Sequence, residues 1–121
     1  MTRSVLVVDD EADMAATYAR LLRRQGHRVV CVGTRAAGIL AVAADPPMLV
    51  IADLRLPDGD GLDVVRAARA LPAPVPVIVA TVLASRETQQ AAITAGAAAF
   101  LAKPFTAESF SSLVSQVLGA A

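Results

Sequence analysis

The chain has 121 residues, which is the length of one domain and is enough to bury a hydrophobic core without disulfides. Its composition, 55% hydrophobic and 18% charged, excludes an intrinsically disordered protein. Eleven basic residues balance eleven acidic ones, which argues against a domain that binds the nucleic-acid backbone, since such domains carry a basic excess.

The sequence shows none of the features expected of secreted or membrane-spanning chains. The single cysteine, Cys31, cannot form an internal disulfide, and its apolar neighbours predict a small buried side chain. The apolar stretch near the N-terminus is too short for a signal peptide, and no apolar run approaches the roughly 18 residues of a membrane helix. We therefore expect a cytoplasmic domain without membrane contact.

The first part of the chain predicts a strand, a helix and a second strand. The run SVLVV at residues 4–8 is apolar without alternation, as in strands that are covered on both faces. Met14, Tyr18 and Leu21 then recur at helical spacing, which predicts an amphipathic helix. The run RVVCV at residues 28–32 predicts the second strand.

The middle part repeats this alternation. Thr34 is a predicted N-cap for the second helix, and MLVIA at residues 48–52 predicts the third strand. Asp60 is a predicted N-cap for the third helix, which Pro72 ends.

The last part adds two more strands and two more helices. The runs at residues 75–80 and 98–102 predict strands, and Ser85 and Thr106 are predicted N-caps of the helices that follow them. Five alternations of strand and helix predict a single α/β domain, a (βα)5 doubly wound parallel sheet with helices on both faces. Right-handed crossovers favour the flavodoxin-like strand order 2-1-3-4-5.

Polar residues follow four of the five predicted strands. They are Asp9, Asp10 and Glu11 after the first strand, Asp53 after the third, Thr81 after the fourth and Lys103 after the fifth. In a sheet of this kind, ligands bind outside the carboxyl ends of the strands. We therefore expect these side chains to converge on one rim.

The acidic residues of this rim predict a cation site. Asp9 or Asp10 alone has a simple explanation as the cap of the first helix, but two neighbouring carboxylates about 4 Å apart repel by about 4 kcal/mol. A third carboxylate, Asp53, reaches the same rim, and oxygen ligands of this kind suit a hard cation such as Mg²⁺. Lys103 is the only lysine beside ten arginines, and its compact ammonium suits a single anion.

The segments VLVVDDE, ADLRLPDGDG, VATV and FLAKPF resemble, in order and spacing, the signature of response-regulator receiver domains of two-component systems. The resemblance covers essentially the whole chain, so residues 1–121 are interpreted as one receiver domain with no output domain in this chain. It implies that Asp53 accepts a phosphoryl group from a sensor histidine kinase or a phosphotransfer protein and forms an aspartyl phosphate.

The same resemblance implies the cofactor and its ligands. Mg²⁺ would be held by Asp10, Asp53 and the backbone carbonyl of Arg55, with Asp9 acting largely through water. The domain is expected to be no enzyme beyond catalysing its own phosphorylation and dephosphorylation.

The resemblance also implies a conformational switch. Thr81 would donate a hydrogen bond to the phosphoryl group, Lys103 would pair with it, and Phe100 would be the rotating aromatic switch residue. The Lys103–Pro104 bond would be cis. The switch would control an output domain or a partner protein, and we expect no direct nucleic-acid binding by this domain.

Three residues depart from the usual pattern of the family. Val82 stands where a small residue is usual, which predicts slow phosphorylation by small phosphodonors. Arg55 and Leu83 occupy positions that tune the lifetime of the phosphoryl group, and the apolar Leu83 favours a long lifetime. The segment GAAAFLAKPF has alanines where acidic residues are usual, which argues against a dimer held by salt bridges across this face.

Two other classes of function remain open at this point. A Mg²⁺-dependent phosphohydrolase would use Asp53 or Asp9 as nucleophile, with Glu11 available as an acid-base group two residues after Asp9. Asp53 has Arg55 at the corresponding position, which weighs against that role. A phosphorylation-independent interaction module would not need the acidic rim.

Overall fold

The computed structural model describes residues 3–119, in which a five-stranded parallel sheet lies between two layers of helices. The strands of this sheet are β1 (Ser4–Val8), β2 (Arg28–Val32), β3 (Leu49–Ala52), β6 (Val77–Thr81) and β7 (Ala99–Ala102). They lie in the order β2-β1-β3-β6-β7. This is the predicted order, because the intervening β4 (Arg55–Leu56) and β5 (Gly59–Asp60) form a separate antiparallel hairpin.

The helices are α1 (Ala12–Arg24), α2 (Arg35–Ala44), α3 (Leu62–Arg69), α4 (Arg86–Ala95) and α5 (Ala107–Gly119). Thr34 and Ser85 cap α2 and α4 as predicted, since their hydroxyls accept hydrogen bonds from Ala37 N–H and Thr88 N–H. The N-cap position of α3 is Gly61, one residue after the predicted Asp60, but the Asp60 carboxylate still accepts a hydrogen bond from Leu62 N–H at 2.9 Å. Within residues 3–119, no helix combines the length and the apolar character needed to cross a bilayer.

The helices cover the sheet with two separate hydrophobic cores. One core joins the sheet to α2, α3 and α4 through residues such as Val42, Val65 and Ala92. The other joins it to α1 and α5 through Leu22 and Phe110. Neighbouring residues of β3 go to opposite cores, because successive side chains of a strand point to opposite faces. This double burial explains the continuous apolar runs of β1, β3 and β6.

The edge strand β2 is less buried than the sequence predicts. It pairs only with β1, and each of its residues is exposed or partly exposed. The predicted burial of Cys31 is wrong, because its side chain lies exposed on this edge. An apolar run does not distinguish a central strand from an edge strand, which has a neighbour on one side only.

Candidate functional site

Backbone hydrogen bonds of the sheet continue one residue beyond the strands and place three of the predicted site residues. Asp9 N–H donates to the Val32 carbonyl at 3.0 Å, and Asp53 N–H donates to the Val8 carbonyl at 3.0 Å. Lys103 N–H donates to the Thr81 carbonyl at 2.9 Å. The positions of these residues at the carboxyl edge are therefore set by the sheet itself.

The side chains of Asp9, Asp53 and Lys103 meet in a buried cluster. Lys103 Nζ donates to Asp9 Oδ2 at 2.8 Å and to Asp53 Oδ2 at 3.0 Å. The Lys103 side chain is 6% exposed, that of Asp9 1% and that of Asp53 8%. Charges this well buried are stable only when they are paired and hydrogen-bonded, and here the ammonium pairs with both carboxylates.

Each aspartate uses its other oxygen to fix its own orientation. Asp9 Oδ1 accepts a hydrogen bond from Glu11 N–H at 2.9 Å, and Asp53 Oδ1 accepts one from Arg55 N–H at 3.2 Å. Both are turns in which a side chain bonds to the backbone two residues further on. The Oδ2 atoms are thereby left facing Lys103.

Lys103 is held in its charged form. Burial lowers the pKa of the Lys103 ammonium, but the hydrogen bonds from Lys103 to Asp9 and Asp53 outweigh it, and the net pKa is raised. A permanent positive charge therefore lies between the two carboxylates.

The carboxylates of this edge also fit a metal ion. Oxygens of Asp9, Glu11 and Asp53 lie within 4.8 Å of one another, and Glu11 is exposed whereas both aspartates are buried. Oxygen donors at the mouth of a half-open site are the ligands that hard divalent cations prefer. Asp10, a predicted ligand, is exposed and is not a member of this group in the described chain.

The sequence predicts Glu11 on the same rim and as a possible acid-base group, but not as a member of the cation site. Its place in the group comes from the turn at Asp9, which brings the residue two positions later back towards the site. The three consecutive acidic residues of the DDE triplet indicate a cation site, but the sequence does not show which of the three carboxylates face it.

Thr81 lies on β6, the strand next to β3, and Phe100 lies on β7, one strand further out. The Thr81 side chain is fully buried, and its hydroxyl oxygen accepts a hydrogen bond from Leu83 N–H at 3.2 Å. The hydroxyl hydrogen is left available for another acceptor. Phe100 pairs in register with Val79 on β6 and packs, partly buried, against the core formed by α2, α3 and α4.

Two grooves flank the cluster. The first, of ≈ 340 Å³, opens above Lys103 and is bounded on one side by Val82, whose exposed fraction is 61%. The Lys103–Pro104 peptide in its wall is cis, as predicted. The second, of ≈ 520 Å³, lies between the β4–β5 hairpin and α4, and both Arg55 and Leu83 line it.

The start of α3 packs against the backbone of Asp53. Gly61 N–H donates to the Leu54 carbonyl at 2.9 Å, and a Cβ atom at position 61 would overlap the carbonyl oxygen of Asp53. Only glycine allows this approach, because the obstacle is backbone and cannot rotate away. The loop that carries Asp53 is thus held from behind by the start of α3.

Comparison with the sequences of known proteins identifies the family to which the chain is similar. A family model described as the response regulator receiver domain matches residues 5–115. The chain is 40% identical over 102 residues to the KDP operon transcriptional regulatory protein KdpE of Escherichia coli K12, covering 84% of this chain and 45% of that protein. It is 37% identical over 101 residues to the photosynthetic apparatus regulatory protein RegA of Rhodovulum sulfidophilum, covering 84% and 55%. The chain thus spans about half the length of these relatives.

Solved structures agree in fold. The receiver domain of the sensor histidine kinase PA1611 from Pseudomonas aeruginosa PAO1, with a magnesium ion coordinated in its active-site cleft, superposes with a TM-score of 0.87 at 26% identity, covering 98% of this chain and 99% of that one. A CheY-like receiver domain protein from Methanospirillum hungatei JF-1 gives a TM-score of 0.92 at 24% identity, covering 99% and 96%, and supports the fold.

Proposed function

The chain belongs to the response-regulator receiver family of two-component signalling, and from this premise we propose that Asp53 is the residue that accepts the phosphoryl group. The observation that carries the proposal is the Lys103 ammonium, which bridges Asp53 and Asp9 in a buried cluster at the carboxyl edge of the sheet. A carboxylate with a fixed orientation and an adjacent permanent cation is suited to in-line phosphoryl transfer, which needs mainly positioning and charge neutralisation.

The transfer we propose starts from the phosphohistidine of a sensor histidine kinase or a phosphotransfer protein. An oxygen of Asp53 forms the new oxygen–phosphorus bond as the phosphorus–nitrogen bond breaks, and the imidazole leaves with the electron pair and takes a proton from solvent. Lys103 pairs with the phosphoryl oxygens, and Thr81 donates its free hydroxyl hydrogen to one of them. The domain acts in this way as a signalling switch and catalyses only its own phosphorylation and dephosphorylation.

We propose Mg²⁺ as the cofactor of this transfer. Asp10, Asp53 and the backbone carbonyl of Arg55 are its proposed ligands, with Asp9 acting largely through water, and Glu11 has a carboxylate oxygen close to those of Asp9 and Asp53. The bound ion supplies positive charge to the oxygens of the transferring phosphoryl group. The magnesium ion in the receiver domain of PA1611 supports this choice.

Two new contacts to the phosphoryl group are just sufficient to drive the switch when each lies near the upper end of its energy range. Hydrogen bonds to a charged group contribute about 1.5–3 kcal/mol each, so contacts from Thr81 and Lys103 provide about 3–6 kcal/mol. Moving an equilibrium from 1:99 to 99:1 takes about 5.5 kcal/mol. Phe100 lies on β7, which pairs with β6, the strand that ends at Thr81. We propose that a change in the orientation of Phe100 carries the effect of phosphorylation to the outer surface.

The proposed target is an output domain or a partner protein in the cytoplasm. KdpE and RegA are named as regulatory proteins and are about twice the length of this chain, which supports control of a further domain. The balanced charge of the chain weighs against nucleic-acid binding by the receiver domain itself.

Phosphorylation of the purified protein tests the proposal. With acetyl phosphate and Mg²⁺, we expect mass spectrometry of the intact chain to show the gain of one phosphoryl group, and the Asp53→Asn variant to gain none. Asp45→Asn, which changes an exposed aspartate at the end of α2, is the matched control and should be labelled like the wild type. Continuous turnover of phosphate esters without stoichiometric labelling would instead indicate a phosphohydrolase.

A further inference from the structure

Tyr18 buries a hydroxyl group that the structure leaves without a partner. The residue lies on α1 and is 1% exposed, and among residues 3–119 no group hydrogen-bonds to its Oη. A buried hydroxyl without a partner costs free energy, which phenylalanine at the same place would avoid. Packing alone therefore does not explain a tyrosine here.

The ring of Tyr18 is held firmly by two other aromatic residues. Its centroid lies 5.7 Å from that of Phe105 and 5.2 Å from that of Phe110, and these two rings stack on each other at 5.5 Å. Phe105 follows the Lys103–Pro104 peptide, and Phe110 belongs to α5. The three rings connect α1, α5 and the loop that carries Lys103.

The ring also faces the lysine of the proposed phosphorylation site. Lys103 Nζ lies 5.9 Å from the Tyr18 ring centroid, within the range of a cation–π interaction. An ammonium has three N–H donors, and Asp9 and Asp53 take two of them. A buried ammonium with a third donor thus lies beside a buried hydroxyl oxygen without a partner.

We propose that Tyr18 is a positioning residue for Lys103, whose hydroxyl oxygen accepts a hydrogen bond from the ammonium when Lys103 shifts from Asp9 to the phosphoryl group. This inference rests on the proposed function of Asp53. In the resting protein the Tyr18 hydroxyl interacts with Lys103 without a hydrogen bond of normal geometry, and in the phosphorylated protein it accepts a full one, so it favours the phosphorylated arrangement.

The chemistry of the phenol suits this role. Burial raises the pKa of Tyr18; Lys103 opposes this through its charge and a weak side-chain interaction, Asp9 and Asp53 add smaller raising effects, and the group stays neutral. A neutral phenol both accepts and donates hydrogen bonds. Its aromatic ring continues to attract the ammonium in either position.

The Tyr18→Phe variant separates positioning from packing. It keeps the stacked rings and removes an unpaired hydroxyl, so we expect its Tm to equal or exceed that of the wild type. We expect its phosphorylation by acetyl phosphate to be about tenfold slower, as for loss of one hydrogen bond to a charged group in the transition state. Leu118→Ala, which removes a partly buried side chain of the same core at the end of α5, should lower the Tm and leave the rate within about twofold.

Spectroscopy of the wild type supplies a second measurement. The chain has one tyrosine and no tryptophan, so the tyrosine doublet in its Raman spectrum reports Tyr18 alone. On phosphorylation we expect the doublet to move towards that of a phenol that accepts a hydrogen bond, and in Asp53→Asn we expect no change under the same conditions.

The outcomes distinguish this inference from the proposed function. A wild type that labels while Tyr18→Phe labels equally fast, or while the doublet does not move, overturns the role of Tyr18 and leaves Asp53 as acceptor. A Tyr18→Phe variant with a lowered Tm likewise overturns it, since the hydroxyl then stabilises the resting fold. A wild type that takes up no phosphoryl group overturns both.

Discussion

The buried cluster shows at the scale of single residues why each charge needs the others. Lys103 donates to both Asp9 and Asp53, and each aspartate takes a further hydrogen bond from the backbone. Removing one member of such a cluster leaves an uncompensated buried charge, which is strongly destabilising. The same pairing aims one oxygen of each carboxylate at the place where a phosphoryl group and a cation would meet.

Val82 is the residue whose change should increase access to Asp53. Its β-branched side chain borders the groove above Lys103 and is 61% exposed, so a smaller side chain widens the entrance without opening a cavity in the core. We expect Val82→Ala to be phosphorylated several-fold faster by acetyl phosphate, as measured by the initial rate of phosphoryl incorporation.

A matched substitution elsewhere controls for general effects on the domain. Val30 on β2 is also exposed, at 46%, and lines a groove on another side of the sheet. Val30→Ala should therefore label at the wild-type rate. An unchanged rate in Val82→Ala would show that the valine does not limit access.

Residue-level prediction from the sequence was successful where the backbone decides the position. Asp9, Asp53 and Lys103 follow directly from strands whose carboxyl ends share one edge, and the structure brings them together. Tyr18 was not predicted as a neighbour of the cluster, and Glu11 was predicted on the rim but not as a member of the cation site. Their places depend on a turn and on helix rotation, which spacing along the chain does not specify.

At the scale of elements, the β4–β5 hairpin is tied to the start of α2 as well as to Asp53. Both oxygens of Asp58 accept hydrogen bonds from the first turn of α2, from Arg35 N–H at 2.7 Å and Ala36 N–H at 3.0 Å. The Arg35 side chain in turn donates to Asp63 on α3 at 2.7 Å. The helix thus receives a cap from a loop more than twenty residues away in sequence.

The Asp58 cap should make stability depend on pH. Backbone N–H groups of Ala36 and Arg35 hold the pKa of Asp58 below its ordinary value, so the folded state binds a proton less readily than the unfolded chain. This contribution is present above the unfolded pKa of about 3.9 and is lost as pH falls through the lower folded pKa. We expect Asp58→Asn to lower the Tm at neutral pH, and the difference from wild type to shrink below about pH 4.

Thermal unfolding followed by circular dichroism across this pH range checks the prediction. Asp45→Asn is again the control, since Asp45 is an exposed aspartate at the opposite end of α2. A Tm difference for Asp58→Asn that stays constant from neutral to acidic pH would contradict the cap.

The elements themselves were largely predictable, because each has a local signal. The strands β1 and β2 begin and end as predicted, and Thr34, Ser85 and Thr106 accept the hydrogen bonds expected of N-caps. The hairpin was not predicted, since two strands of two residues leave no periodic pattern. The exposure of β2 was also missed, because edge position is a property of the whole sheet.

At the scale of the whole molecule, two rigid cores support one reactive edge. Every residue of β3 and β6 is buried between the two helical layers, so Asp53 and Thr81 extend from the best-packed part of the domain. A site on rigid strands keeps its geometry while the surrounding loops respond. This arrangement fits a switch in which chemistry at the edge is communicated through Thr81, Lys103 and Phe100.

The surface formed by α4 and β7 bears on what reads the switch. Ile93 on α4 is 60% exposed, and the segment leading into β7 is rich in alanine. These residues offer no charges for the salt-bridged dimer that the family resemblance suggests. The weakness of such a dimer stays a prediction of the sequence.

Chemical trapping of the acyl phosphate shows directly whether Asp53 is the residue that carries the phosphoryl group. The protein is treated with acetyl phosphate and Mg²⁺, the acyl phosphate is reduced with borohydride to a homoserine residue, and the position of that homoserine is read by peptide mass spectrometry. We expect homoserine at position 53 alone. Homoserine at position 9 or 10, or in no peptide of a labelled protein, would contradict it.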